Sequence, residues 1–302
     1  MMERHGALNL EYYKVFYTVC ECGGITAAAE HLCISQPAVS QAIRQLEDAL
    51  RCRLFLRTSR GVKLTKEGEV LFSYVKRGIE TLYDGEDTLR RMQDLETGEI
   101  RIGASDMTLQ FYLLPYLEGF HERYPNIKVT VSNGPTPETL DLLRDGRIDF
   151  GIVSTPFEAK TEVTSIPVRE IHNIFIAGPK FRNTLDRRIL SYEELSDYPC
   201  IFLEPKTSTR LFMDQFLEKR GIRLEPEFEL ATSDMIVQFV RRNLGIGCLM
   251  SDFAAAAIER GEIFPLRFEE EMPPRQFCLV TTAKTYMSPA AARLYQELAK
   301  IP

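Results

Sequence analysis

No run of 18 apolar residues occurs in this sequence, so nothing in it reads as a membrane-spanning helix. No secretory signal or lipidation motif is evident, and a soluble, cytoplasmic protein with no membrane partner is expected. Histidine is scarce, with 4 scattered over 302 residues. The seven cysteines (Cys20, Cys22, Cys33, Cys52, Cys200, Cys248 and Cys278) fall at no metal-binding spacing. Cys20 and Cys22 miss the C-x-x-C pattern and Cys200 has no cysteine neighbour, so reduced, buried thiols are expected. Nucleophile elbow, phosphate loop, dinucleotide fingerprint and metal-ligand cluster are all missing, which leaves an enzyme without motif support. No metal, cofactor or catalytic residue is expected. Repeats and low-complexity segments are missing too.

Positive charge is also in deficit, with a net of −6 overall. The deficit is uneven. Residues 1–66 carry 9 Lys/Arg against 6 Asp/Glu, a net of +3, and the remainder carries 28 against 37, a net of −9. A mildly basic head on an acidic body suits local contact with phosphate rather than a nonspecific polycation.

What the chain does have is concentrated in Thr26–Leu50, TAAAEHLCISQPAVSQAIRQLEDAL. Thr26 offers a side-chain oxygen at a helix start, and Ala27, Ala28 and Ala29 are strong helix formers. His31 and Leu32 end that short helix, and Cys33-Ile34 turns the chain. Ser35 then caps a second helix with Pro37 in its first turn, where a missing N–H costs nothing. Val39, Ile43, Leu46 and Leu50 form its buried stripe by spacing. The other face shows Gln36, Ser40, Gln41, Arg44 and Gln45, a row of hydrogen-bonding heads that a DNA major groove accepts. Leu54 to Leu64 reads as two short strands around a basic turn that carries Arg57, Thr58, Ser59 and Arg60. An ordinary helical hairpin with a wet polar face is the bland alternative; the alanine run and the basic strand pair argue against it.

Upstream, residues 8–22 form a helix by pattern, with Leu10, Tyr13, Phe16 and Tyr17 on one side, stopped by Gly23-Gly24. Downstream, Thr65 caps a long helix with Glu67 and Glu69 in its first turn, favourable for the helix dipole. Leu71, Val75, Gly78, Leu82, Gly85, Leu89 and Met92 then repeat at alternating spacings of four and three, the seam of a coiled coil. A homodimer joined along this helix is expected, with a homotetramer beyond it.

After Glu96-Thr97-Gly98 the pattern becomes one of alternating strands and helices, which predicts a parallel sheet. Strands are expected at 100–104, 127–131, 148–153, 173–177, 200–203, 228–230, 246–250 and 277–281. Helices are expected from Ser105 to about Tyr124, at 137–145, from Ser208–Thr209, at 234–242 and after Ser288-Pro289, with a capping box at Ser191-x-x-Glu194. The chain is expected to pass between two lobes near Ile166–Glu170 and again at Glu269–Pro274. In open α/β sheets ligands bind beyond the carboxyl ends of strands. Those ends carry Ser105, Thr108, Thr136, Ser154, Thr155, Thr207 and Ser208, which would line one cleft. Each is also an ordinary helix-capping type. Asp106 leaves two alternatives: it points outward as part of a cap, or the ligand is neutral or carries an amine.

The run AAAEHLCISQPAVSQAIRQLEDALRCRLFLRTSRGVKLTKEG resembles the winged helix-turn-helix of the LysR-type transcriptional regulators. The S-Q-P-A-V-S core, Ile43-x-x-Leu46-Glu47, Leu54-Phe55-x-Arg57 and Leu64-Thr65-x-x-Gly68 carry the resemblance, which is dense over 8–70 and continues in order of elements to the end. It implies an α/β protein: a winged helix-turn-helix DNA-binding domain (1–64), a linker and dimerisation helix (65–95) and an effector domain (96–302). The effector domain would be two-lobed and similar to periplasmic binding proteins, with one lobe from 96–168 and 270–302 and the other from 169–269. It also implies a small-molecule effector, a partly palindromic double-stranded operator and contact with RNA polymerase. Ser105, Thr136, Ser154 and the Thr207-Ser208 turn match positions at which the family contacts effectors. A metabolite-binding protein or enzyme with a DNA-binding-like extension is the alternative.

Overall fold

The computed structural model describes residues 9–58, 61–158, 163–283 and 285–300. It divides into two compact units, Met1–Arg90 and Arg91–Pro302.

In the first unit three helices, α1 (Leu10–Cys22), α2 (Ile25–His31) and α3 (Gln36–Leu50), enclose a core of Val15, Phe16, Val19, Ala28, Ala29, Val39, Ile43 and Leu46. Ser35 caps α3 as its sequence predicts, its hydroxyl accepting from the Ala38 amide at 3.3 Å, with Pro37 in the first turn. Thr26 does not cap α2. The cap position is Gly24, and Thr26 lies exposed within the first turn. Leu50 and Leu10 leave their expected stripes and are exposed at 38% and 63%, because each stands at a helix end beyond the reach of the core. Antiparallel strands β1 (Phe55–Thr58) and β2 (Gly61–Leu64) follow, with Phe55 opposite Leu64.

The helix α4 (Lys66–Gln93) begins as expected, the Thr65 hydroxyl accepting from the Gly68 amide at 2.9 Å. Gly68 is required by packing. A Cβ there would lie 2.2 Å from the Leu54 carbonyl oxygen, so α4 and the start of the strand pair touch backbone to backbone. Leu71 and Val75 pack on the core of the first unit, together with Phe72. Farther along, Gly78, Leu82, Gly85 and Leu89 are exposed.

In the second unit β3 (Gly98–Ala104) leads into an almost unbroken helix: α5 (Asp106–Thr108), a π-helical stretch at Leu109–Leu113, and α6 (Leu114–Arg123). β4 (Ile127–Asn133), α7 (Thr136–Arg144), β5 (Phe150–Ser154) and β6 (Val163–Ile171) follow. The segment expected to be a crossing near Ile166–Glu170 is thus the interior of a nine-residue strand. After His172 come β7 (Asn173–Ala177), α8 (Arg182–Leu185), β8 (Ile189–Leu190), β9 (Cys200–Leu203), α9 (Ser208–Glu218), β10 (Phe228–Leu230), α10 (Ser233–Arg241), β11 (Ile246–Met250) and α11 (Ser251–Glu259). The chain ends with β12 (Phe264–Pro265), β13 (Arg267–Phe268), β14 (Arg275–Thr282) and α12 (Pro289–Leu298).

These strands make two five-stranded sheets, β4-β3-β5-β14-β6 and β10-β9-β11-β7-β12, with a small β13-β8 pair. Neither sheet is purely parallel. β14 runs antiparallel to β5 and β6, and β7 antiparallel to β11 and β12. The direct passage from β6 to β7 and the return of β14 put an antiparallel strand into each sheet, which alternation alone does not reveal. At Ser191 only half of the capping box forms, the Glu194 carboxylate accepting from the Ser191 amide at 2.9 Å ahead of a short 3-10 turn.

Candidate functional site

On α3 the side chains of Gln36, Pro37, Gln41 and Arg44 are exposed and Ser40 is half-buried, all opposite the stripe of Val39, Ile43 and Leu46. The polar row expected from the sequence therefore stands free on one face of a capped helix. Glu47, which closes the Ile43-x-x-Leu46-Glu47 motif, is only 6% exposed. Its Oε1 accepts from the Leu54 amide at 2.7 Å and the Phe55 amide at 3.3 Å, and its Oε2 pairs with Arg53 at 2.9 Å. A carboxylate bound by backbone N–H groups makes strong, charge-assisted bonds, so Glu47 fastens the strand pair to α3. Thr58 is exposed on β1, its hydroxyl donating to the Gly61 carbonyl at 3.1 Å. The Arg57 backbone pairs with Val62, while its side chain, Ser59 and Arg60 lie outside the described residues.

In the second unit a pocket of about 290 Å³ is lined by Ser105, Thr136, Ser154, Thr207 and Ser208, five of the seven residues expected to meet. They arrive from both sheets: Ser105 and Ser154 at the ends of β3 and β5, Thr136 at the start of α7, Thr207 and Ser208 at the start of α9. The Thr136 and Ser208 hydroxyls are 2.7 Å apart. The other two expected residues lie elsewhere. Thr108 is fully buried, its Oγ1 accepting from the Ser105 amide at 2.9 Å and lying 3.1 Å from the Ile152 carbonyl. It closes a capping box with Ser105. The Thr155 hydroxyl is turned to its own strand neighbour and accepts from the Gln276 amide at 3.0 Å. Asp106 also lines the pocket, is exposed, and accepts a hydrogen bond from Asn133.

Arg275, unremarked in the sequence, is 2% exposed at the start of β14. Its guanidinium donates to the Thr155 carbonyl at 2.6 Å, Asn173 Oδ1 at 2.9 Å, Thr209 Oγ1 at 3.0 Å and Ser154 Oγ at 3.1 Å. Burial pulls its pKa down to about 10, still high enough to stay charged at neutral pH. Burial also pushes the Cys200 and Cys248 thiols up to about 12. Thiols so rarely ionised are poor nucleophiles, and every cysteine is free.

A polar helix face beside a short strand pair, and a hydroxyl-lined pocket between two mixed sheets, define a DNA-binding regulator with a ligand-binding domain. Sequence comparison places it in a family. Residues 10–69 match the model described as bacterial regulatory helix-turn-helix protein, lysR family, and residues 93–301 match the LysR substrate binding domain. A probable RuBisCO transcriptional regulator of Cyanidioschyzon merolae is 30% identical over 97% of this chain and 98% of that protein. Solved structures share the fold. Corynebacterium glutamicum OxyR in its oxidized form superposes with a TM-score of 0.72 at 24% identity over 98% of this chain and 95% of that one. Full-length CbnR complexed with its target DNA gives 0.66 at 18% identity over 97% and 100%. The chain belongs to the LysR-type transcriptional regulators, ligand-responsive proteins that bind DNA and control transcription.

Proposed function

We propose that residues 1–64 read an operator, that the helix of 65–95 joins two copies, and that 96–302 senses a small effector held between its two sheets. The observation that carries the sensing is the meeting of Ser105, Thr136, Ser154, Thr207 and Ser208 around one pocket. Passage of the chain between sheets at His172, and again between Phe268 and Arg275, supports two lobes, with the first boundary at His172 rather than between residues 168 and 169. Gln36, Pro37, Ser40, Gln41 and Arg44 address base edges in the major groove. The strand-pair residues Arg57, Thr58, Ser59 and Arg60 grip backbone phosphate or the minor groove, and Thr26 joins the DNA contacts. CbnR, which shares the fold, is known in a complex with its target DNA.

The exposed Leu82 and Leu89, at 63% and 61%, are apolar positions with no covering side chain on their own helix. This supports their closure by a second copy, a homodimer that assembles further into a tetramer and meets RNA polymerase at the promoter. The protein does no chemistry of its own and works in the cytoplasm. No helix among the described residues is long and apolar enough to cross a membrane. In the pocket lining no histidine, lysine or cysteine stands beside the hydroxyls to activate them. Band-shift titration of the full chain at several salt concentrations tests the reading. Sequence-specific retention that survives competitor DNA is expected, and binding that competitor removes entirely overturns it.

A further inference from the structure

The two passages of the chain between the sheets border a second cavity, of about 400 Å³, with His172 and Asn173 on one side and Phe268, Glu271 and Met272 on the other. It shares no lining residue with the hydroxyl-lined pocket. Its walls are aromatic. Tyr192 and Phe268 stack with ring centroids 4.2 Å apart and an interplanar angle of 1°, and the Phe175 ring lies 5.5 Å from that of Phe268. The Tyr192 ring is anchored by its hydroxyl, which donates to the Glu270 carbonyl at 2.8 Å. Flat, largely apolar walls of this kind suit a flat ring.

One polar group in the lining is left over. Asn173 is 5% exposed, and its Oδ1 accepts from Arg275 at 2.9 Å, which fixes the oxygen and nitrogen ends of the amide. The buried Nδ2 has no hydrogen-bond partner among the described residues. It has the Cys248 thiol for a neighbour, and a thiol is a weak acceptor. Alternation along β7 puts Asn173 on the same face as Phe175, the face that meets Tyr192 and Phe268. The idle donor therefore belongs to the cavity's side of the sheet. Leaving a buried amide donor unsatisfied is costly, so such a group calls for an acceptor. Charge at the cavity is balanced, because exposed Arg267 and Glu271 both line it. That pairing favours neither an acid nor a base.

We propose that this cavity is a second ligand site, for a small neutral heteroaromatic molecule whose ring lies among Phe175, Tyr192 and Phe268. Its acceptor atom, a ring nitrogen or a carbonyl oxygen, takes the Asn173 Nδ2 donor. A volume of about 400 Å³ admits a single or fused bicyclic ring. Because both crossings supply its walls, an occupant braces the hinge between the sheets. Asn173 also supports Arg275, which holds Ser154 and Thr209 of the other pocket's lining, so the two sites rest on one shared side chain.

The test uses full-length protein with 7-azaindole as probe and indole as control. The two have the same shape, and only the first carries an acceptor nitrogen in its ring. The chain contains no tryptophan, so fluorescence excited beyond tyrosine absorption belongs to the probe alone, and its anisotropy reports binding. Binding of 7-azaindole about tenfold tighter than indole is expected. Hydrogen exchange should slow at residues 172–175 and 266–272 and stay unchanged at 105–108 and 207–209. Asn173→Asp keeps an acceptor for Arg275 and removes the donor, so it should bring 7-azaindole down to the level of indole. Phe268→Leu should weaken both probes severalfold, and with the wild-type comparison it decides the matter should Asn173→Asp fail to fold. Failure of both probes to bind, or equal binding of the two to wild-type protein, means that water alone satisfies the amide and overturns the proposal. Protection confined to 105–108 and 207–209 places the probe in the hydroxyl-lined pocket and overturns it as well.

Discussion

Thr136 and Ser208 place their hydroxyls 2.7 Å apart, although one opens a helix packed on the first sheet and the other a helix packed on the second. The bond joins the two lobes within the pocket lining, where a bound ligand would compete for it. Thr136→Val deletes the bond while keeping the shape. The expected outcome is a regulator that holds its operator with unchanged affinity and salt dependence but responds poorly to its effector. Ser105→Ala should behave alike, with about 1 kcal/mol lost from its capping bonds. A reporter strain grown with and without inducing metabolite checks both, and full induction in both variants moves the sensing site elsewhere.

Base reading is expected to concentrate on Gln41, which is exposed in the second turn of α3. Gln41→Ala should cost roughly 1–3 kcal/mol of specific binding per half-site with little effect on nonspecific DNA. Competition band shifts measure the difference. Wild-type strength in the variant would mean that another face of α3 meets the bases.

Leu82 tests assembly. It is 63% exposed near the middle of the α4 seam. Leu82→Glu should leave the first unit folded yet shift sedimentation towards monomer, since a dimer would bury two facing carboxylates. Operator affinity should fall with it. A variant that sediments and binds as wild type would show that the seam closes nothing.

Gly68→Ala should be far more damaging than an alanine in a helix usually is. Its methyl would lie 2.2 Å from the Leu54 carbonyl oxygen, and backbone on backbone has little room to give. A loss of roughly 1–3 kcal/mol or more is expected, read as a lower melting temperature of the DNA-binding unit. An unchanged melting point would show that α4 is free to slide.

Thiol labelling provides a check on chemistry. Cys33 is exposed, whereas Cys200 and Cys248 are buried with pKa values raised to about 12. Alkylation of the native protein at pH 8 should therefore modify Cys33 and spare the other two until the protein is denatured. Mass spectrometry of the labelled peptides decides it, and rapid native labelling of Cys200 would contradict the burial.

The parts of this molecule legible from sequence are those set by local chemistry. Ser35 and Pro37 announce the start of α3 because a cap involves neighbours three residues away. The pocket hydroxyls were legible for a related reason, since they stand at strand ends and helix starts, which the pattern marks. Arg275 was not. Its partners Thr155, Asn173 and Thr209 are 120, 102 and 66 residues distant, and an arginine at a strand start looks like any other. Pro167 and its polar neighbours read as a connection in sequence, whereas β6 is an edge strand, where proline is tolerated. The helix α11 is not marked in the sequence because its run of alanines, Ala254 to Ala257, carries little amphipathic contrast.

Glu47 has a further consequence. The carboxylate that grips the Leu54 and Phe55 amides belongs to the same helix that carries Gln41 and Arg44. Helix and strand pair are thereby one tool rather than two fingers. Any tilt of α3 in a groove drags the strand pair with it, so the spacing between what the helix touches and what the strand pair touches is a fixed length that the operator has to match.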